Sequence, residues 1–214
     1  MKCINYKVYS GKENMKTDSD LLEHSISEQI NEPIFRLYGW SPKCISIGRN
    51  QKDDFLNNNI NIDCVHRLTG GRALLHDDEV TYSCVAPISV IPYGESVTES
   101  YKYISGILID FFKTLGVELD FGENKKISTH HNYCMLISTG ADVCFQGKKL
   151  IGSAQFRKEG YILQHGSILF GYDKELLEQL FNEEVAGITT VKEILPDVSK
   201  EAFVRGLEHY VSLL

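Results

Sequence analysis

The sequence predicts an α+β fold, a central mixed β-sheet flanked by helices, from three observations. Strand-like segments separated by glycine turns fill the first and middle parts of the chain. Residues 96–115 carry Tyr103, Ile104, Ile107, Leu108, Phe111, Phe112 and Leu115 at helical spacing, and Gly116 ends the run. The chain closes on further helical segments, at 173–181 and 199–214. Strands followed by segregated helices are the pattern of a sheet covered by helices.

Taken in order, residues 14–30 read as a first helix with Met15, Leu21, Leu22 and Ile26 as its apolar stripe. Residues 32–38 and 43–49 read as strands joined by a turn around Gly39-Trp40-Ser41-Pro42. Residues 62–68 and 79–85 flank a glycine loop. Residues 142–145 and 148–156 form a hairpin around Gln146-Gly147, and Lys158-Glu159-Gly160 turns the chain into 161–170. With no internal repeat or Pro/Gly/Ser linker, residues 1–214 are expected to form one domain without a separate C-terminal accessory domain.

Bulk properties narrow the function. The 214 residues carry 43% hydrophobic and 24% charged side chains with a net charge of −7, which argues against a general nucleic-acid binder. The N-terminus lacks the apolar core of a signal peptide, and no apolar run approaches the roughly 20 residues that span a bilayer. The expected compartment is the cytoplasm, with no membrane association. Six cysteines form no CxxC. In a reducing compartment Cys44, Cys64 and Cys84, within β-rich apolar segments, are expected to be buried small hydrophobes, and Cys144 is read as structural.

The run VHRLTGGRALLHDDEVTYS, residues 65–83, carries the strongest signal. Gly70-Gly71 lies between two strand-like segments and is flanked by Arg67, Arg72 and His76. Glycines let successive N–H groups converge on an anion and admit close approach of a ligand, and the arginines add fixed charge. The string resembles the signature of the biotin/lipoate protein ligase superfamily, with His66-Arg67 in place of the usual basic pair. That resemblance implies the same fold class, a central mixed sheet flanked by helices.

Residues 132–170 supply the candidate chemistry. Only a thiolate attacks efficiently, and a nearby ammonium favours it. Hairpin strands can bring Lys149 towards Cys134, 15 positions earlier in the chain. The block GKKLIGSAQFRKEGYILQHGS resembles that of bacterial octanoyl-[acyl carrier protein]:protein N-octanoyltransferases, the monomeric class, over roughly residues 14–170. The resemblance implies Cys134 as nucleophile and Lys149 as its activating lysine. It places Arg67, Thr69, Gly70, Gly71, Arg72, Ala73, Leu74, Leu75 and His76 along the acyl pocket, with Gly152, Ser153, Ala154, His165, Gly166 and Ser167. The segment MLISTGA, residues 135–141, departs from the family's pattern, as does Lys16 in the first helix.

The implied reaction moves an octanoyl group from acyl carrier protein, through a cysteine thioester, to a lysine of a lipoyl-accepting domain such as glycine cleavage H protein or a 2-oxoacid dehydrogenase E2. It needs no cofactor and no metal. Backbone N–H groups near Gly70-Gly71 or Cys134 are candidates for stabilising the oxyanion. Alternatives are an amidotransferase acting between protein lysines, an ATP- and Mg²⁺-dependent lipoate-protein ligase, and an inactive acyl-binding homologue. For a ligase, Asp77-Asp78-Glu79 would be the candidate Mg²⁺ ligands. His76, His130, His131 and His165 repeat no zinc spacing. Lys43, Arg49, Lys148, Arg157 and Lys158 are candidates for a basic rim facing an acidic carrier.

Overall fold

The computed structural model describes residues 1–57, 60–122, 131–136 and 139–214. His130, Ile137 and Ser138 of the stretches discussed above lie outside the described residues.

Among the described residues, ten strands form two sheets. The larger contains β1 (Lys2–Tyr9), β2 (Ile34–Trp40), β6 (Glu79–Pro87), β7 (Asp120–Phe121), β8 (Val143–Phe145), β9 (Lys148–Lys158) and β10 (Tyr161–Leu169). Its strand order is β1-β2-β6-β10-β9-β8-β7, parallel only at the β1–β2 edge. The smaller contains β3 (Cys44–Ile47), β4 (Asp63–His66) and β5 (Leu74–His76), in the order β4-β3-β5. Five α-helices accompany them: α1 (Gly11–Ser27), α2 (Val97–Thr114), α3 (Lys174–Phe181), α4 (Val191–Ile194) and α5 (Lys200–Ser212).

Central strands β2, β6 and β10 are buried along their whole length because both faces are covered. One face is apolar: Phe35, Leu37, Tyr82 and Ile162 join Leu108, Phe111 and Phe112 of α2 and Phe203 and Leu207 of α5 in the principal core. The opposite face carries Arg36, Tyr38, Thr81, Ser83, His165 and Ser167 and turns towards α1 and the small sheet. A second core joins Ile45, Ile47, Leu74 and Leu75 of the small sheet to Leu177, Leu180 and Phe181 of α3.

The predicted α+β class is observed, and the two hairpin turns are where the sequence places them. In Gln146-Gly147 and Glu159-Gly160 both residues have positive φ, the geometry of a type I′ loop, with glycine taking the second position. The predicted helix ends at 96 and 173 are the caps themselves: Ser96 and Asp173 accept the N–H groups of Glu99 and Leu176. Trp40 closes β2 before a cis Ser41–Pro42 bond, so the turn begins later than its glycine suggests.

One element was not foreseen and two expectations are corrected. Residues 2–9 form an edge strand paired with β2, which their short polar alternation conceals. The first helix runs from 11 to 27, capped by a reciprocal Ser10–Glu13 box, and of the expected apolar stripe only Leu22 is fully buried. Its buried face is largely polar: Gly11, Asn14, Asp18 and Ser25. Cys64 is exposed at the end strand of the small sheet, whereas Cys44 and Cys84 are buried as expected. Burial pushes both buried thiols up to about 12.

Candidate active site

A cavity opens between the polar face of the large sheet and the small sheet. Its floor includes a row of residues in direct register across four strands: Gly152 on β9, Ser167 on β10, Thr81 on β6 and Tyr38 on β2.

Cys134 stands at this cavity in a short 3₁₀ turn, residues Cys134–Leu136. Its neighbours fix it. Tyr133 is buried and stacks on Phe181 at 4.8 Å, and Met135 is buried in the second core. The Cys134 N–H donates to the Ala73 carbonyl at 2.8 Å, and the Ala73 N–H donates to the Asn132 carbonyl at 3.1 Å. Upstream, the Asn132 N–H donates to Glu183, which also pairs with His131.

Lys149 enters from β9. A bulge interrupts the β8–β9 register beside it, and its main-chain groups bond to the segment at 187–189. The side chain is 3% exposed. Its ammonium lies 3.0 Å from the Cys134 carbonyl oxygen, 3.0 Å from Asp142 Oδ1 and 4.0 Å from the Cys134 sulfur. Asp142, also buried, accepts the N–H and hydroxyl of Thr139 on its other oxygen. The expected pair thus meets, and the sequence reading missed the carboxylate beside it. Its signal was an aspartate at the head of the hairpin arm facing the lysine.

The glycine loop is braced from within. Arg67 Nε donates to Thr69, Nη1 to the carbonyl and hydroxyl of Ser46, and Nη2 to the carbonyls of Gly70 and Arg72. All five guanidinium donors are spent on the protein. Arg67 lines the cavity as an element of its wall, a different part from the anion-binding arginine that its place beside two glycines implies. Gly71 adopts φ +90° against this guanidinium, a conformation suited to glycine.

His165 is fixed by both ring nitrogens, Nε2 to Thr69 Oγ1 at 2.7 Å and Nδ1 to Asp18 Oδ2 at 3.1 Å. Asp18 also accepts Arg36 at 2.7 Å, the Tyr38 hydroxyl and the Ser83 hydroxyl. Burial pushes the Asp18 carboxyl up, but His165, Arg36 and Tyr38 together outweigh it and hold the group below the usual range. Glu79 repeats the pattern, with burial opposed by His76, Ser167 and Thr81 and the balance downward. His76 in turn stacks on Trp40 at 3.7 Å.

Of the expected pocket residues, Arg67, Gly71, Arg72, Leu74, His76, Gly152, Ser153, Ala154, His165, Gly166 and Ser167 line the cavity with Cys134. Thr69 and Ala73 support it through the bonds above, Gly70 serves as an acceptor for Arg67, and Leu75 belongs to the second core. Met15, Tyr38, Trp40, Ser46 and Thr81 also line it and were not foreseen. The alternation Arg36-x-Tyr38-x-Trp40, large side chains on one strand face, was the available signal.

The acidic run is tied to cations of the chain: Asp77 to Lys43, Asp78 to Lys192 and Lys200, and Glu79 to His76. The expected basic rim is divided. Arg157 is a brace, donating to the carbonyls of Gly94, Glu95 and Ser96 and to Ser100 and Gln155, while Lys158 pairs with Glu23. Arg49 and Lys148 are exposed. The Cys134 N–H, committed to Ala73, is withdrawn as an oxyanion donor. No helix among the described residues is long and apolar enough to cross a membrane.

The chain belongs to the lipoyl protein ligase A/B catalytic domain family, whose model matches residues 10–211. It is an enzyme of this family. It is similar to the octanoyltransferase LipM of Macrococcus caseolyticus, 36% identical over an alignment of 227 positions, gaps included, that covers 91% of this chain and 81% of that protein. The octanoyltransferase LipM of Clostridioides difficile is 37% identical over 187 residues, covering 84% and 69% respectively. Solved structures share the fold. A lipoate-protein ligase A bound with ATP superimposes with a TM-score of 0.75 at 20% identity, over 99% of this chain and 84% of that one. The bipartite lipoate protein ligase of Thermoplasma acidophilum gives 0.71 at 18% identity, over 100% and 83%.

Proposed function

We propose that this enzyme is a cysteine-dependent octanoyltransferase of lipoate assembly. The observation that carries the reading is the Cys134 sulfur placed 4.0 Å from a buried lysine ammonium at the cavity between the sheets. The names of the relatives, octanoyltransferases at 36–37% identity, support the same reaction class.

In the first step the Cys134 thiolate attacks the thioester carbonyl of an octanoylated carrier protein. The carrier's carbon–sulfur bond breaks, and its thiolate leaves and takes up a proton. In the second, a neutral lysine amine of a lipoyl-accepting domain attacks the acyl-enzyme. The bond to Cys134 breaks, the amine gives up a proton and the thiolate is restored. The donor's thioester drives amide formation, so ATP and metal are not needed. The floor from Gly152 to Tyr38 spans three interstrand steps, about 14 Å. An extended eight-carbon chain needs roughly 9 Å at ordinary bond lengths.

The test is intact-mass spectrometry after mixing the protein with octanoyl-carrier protein in the absence of ATP. The reading expects an octanoyl adduct that maps to Cys134 and is lost in Cys134→Ala. Turnover only with free acid and ATP would replace it with a ligase, and transfer only from an acylated protein lysine with an amidotransferase. Binding without turnover in every case would leave an acyl-binding homologue.

A further inference from the structure

The segment that carries Cys134, residues 131–136, is held from three directions. Ala73 bonds its main chain on either side of Tyr133, through Asn132 and Cys134. Lys149 reaches the Cys134 carbonyl from β9 at 3.0 Å. The third hold comes from beyond α3, a helix none of whose residues lines the cavity. There Glu183 accepts the Asn132 N–H on Oε1 at 2.6 Å, and its Oε2 lies 2.9 Å from His131 Nδ1.

The surroundings of Glu183 keep it in place. Leu177, Leu180 and Phe181 fix α3 in the second core, and Phe181 stacks on Tyr133 at 4.8 Å. Asn182 then ends the helix in the left-handed conformation, at φ +51°, directly before Glu183. Val185, buried beyond it, donates its N–H back to Glu178 at 3.0 Å. The Glu183 side chain is 12% exposed, so its carboxylate meets the Asn132 N–H largely out of water. Charge-assisted hydrogen bonds of this kind are shorter and roughly twice as strong as neutral ones. The Asn132 carbonyl is gripped too, by the Ala73 N–H and by Gln51 Nε2 at 3.2 Å. Residues 132–134 are thus tied upstream to a carboxylate and downstream to an ammonium. Slack at the upstream end moves Cys134 against Lys149, whose ammonium lies 4.0 Å from the sulfur.

We propose that Glu183 is a positioning residue for Cys134, holding Asn132 so that the sulfur stays beside Lys149 at the cavity. It touches no reacting atom and acts through the main chain, while His131 orients its second oxygen. This rests on Cys134 being the nucleophile, and Lys149 keeps the part already given to it.

The test is single-turnover octanoyl loading of Cys134 from octanoyl-carrier protein, read by intact mass across a range of carrier concentrations. Each variant is assayed well below its own melting temperature. Glu183→Ala is expected to lower the limiting rate between about tenfold and about a hundredfold, as a misplacement of about 1 Å does. The half-saturating carrier concentration is expected to stay at the wild-type value. Glu183→Gln, whose amide oxygen still accepts the Asn132 N–H, is expected to recover most of the rate. A wild-type limiting rate in Glu183→Ala overturns the proposal, as does a change confined to half-saturation. So does Glu183→Gln loading as slowly as Glu183→Ala. If Glu183→Ala does not fold, Glu183→Asp decides, since it keeps the charge and shortens the reach. Slowed loading there supports the proposal, and a wild-type rate overturns it. Wild-type protein that loads normally, with Glu183→Ala matching it, removes only the role of Glu183. Wild-type protein that does not load removes the nucleophile, and the residue that positions it falls with it.

Discussion

The Nδ1 of His165 lies 3.1 Å from a carboxylate oxygen of Asp18, 147 residues earlier in the chain. The contact joins α1 to β10 and holds a ring of the cavity wall by a carboxylate that also serves Arg36, Tyr38 and Ser83.

Asp18→Ala leaves a buried guanidinium and three other polar groups without their acceptor. We expect it to cost about 3–5 kcal/mol of stability in urea unfolding. The pH dependence has a defined sign. Asp18 and Glu79 are held below the usual carboxylate range, so their stabilisation is present above the unfolded values near ~4. It is lost as pH falls through the lower folded values. Unfolding midpoints should therefore drop below about pH 4, with a shallower fall in Asp18→Asn.

Lys149→Met strands the Asp142 carboxylate in the interior. It should destabilise by about 3–5 kcal/mol, whereas Lys149→Met with Asp142→Asn should recover a large part of that loss. Thermal or urea unfolding of the two singles and the double measures the coupling. An additive double would contradict the pairing.

At Gly152 an added Cβ would lie 2.8 Å from Met135 Sδ and 3.0 Å from Lys149 Cε. Gly152→Ala should push on the lysine and on the residue that follows Cys134, with an overpacking cost of about 1–3 kcal/mol. Octanoyl loading of Cys134 should slow more than stability alone explains, as single-turnover kinetics would reveal.

Thiol chemistry separates the cysteines. Cys44 and Cys84, buried and pushed up to about 12, should resist labelling of the native protein at about pH 8. Cys64 and Cys134 should react. Peptide mapping after a short pulse checks the pattern, and fast labelling of Cys84 would contradict the packing.

Arg157→Glu should act on the fold before it acts on any partner. The side chain holds three consecutive carbonyls ahead of α2, and its reversal should lower the melting temperature by several degrees. A normal melting curve with slowed acylation would restore Arg157 to a docking role.

What could be read from the sequence follows from how local each cause is. The I′ turns at 146–147 and 159–160 are set by two adjacent residues, and the α2 stripe by helical spacing, so both were legible. Cys134 and Lys149 were legible as a pair only through the family resemblance and the interval it carries, because neither residue is marked by its own neighbours. Asp18 was hidden: on a helix read by its apolar residues, a buried carboxylate looks like a surface charge until Arg36 and His165 arrive from distant strands. Arg67 was legible as a cation beside a glycine turn. Its commitment to Ser46, Gly70 and Arg72 depends on a sheet pairing that its own neighbourhood does not specify.

The edge strand β1 has a consequence for how the molecule is made. The N–H of Tyr6 donates to Glu208, 202 residues later, so this strand gains that acceptor only when α5 docks. Such distant closures slow folding. Until α5 docks, the outer edge of β1 lacks this partner and is open to mispairing with other chains.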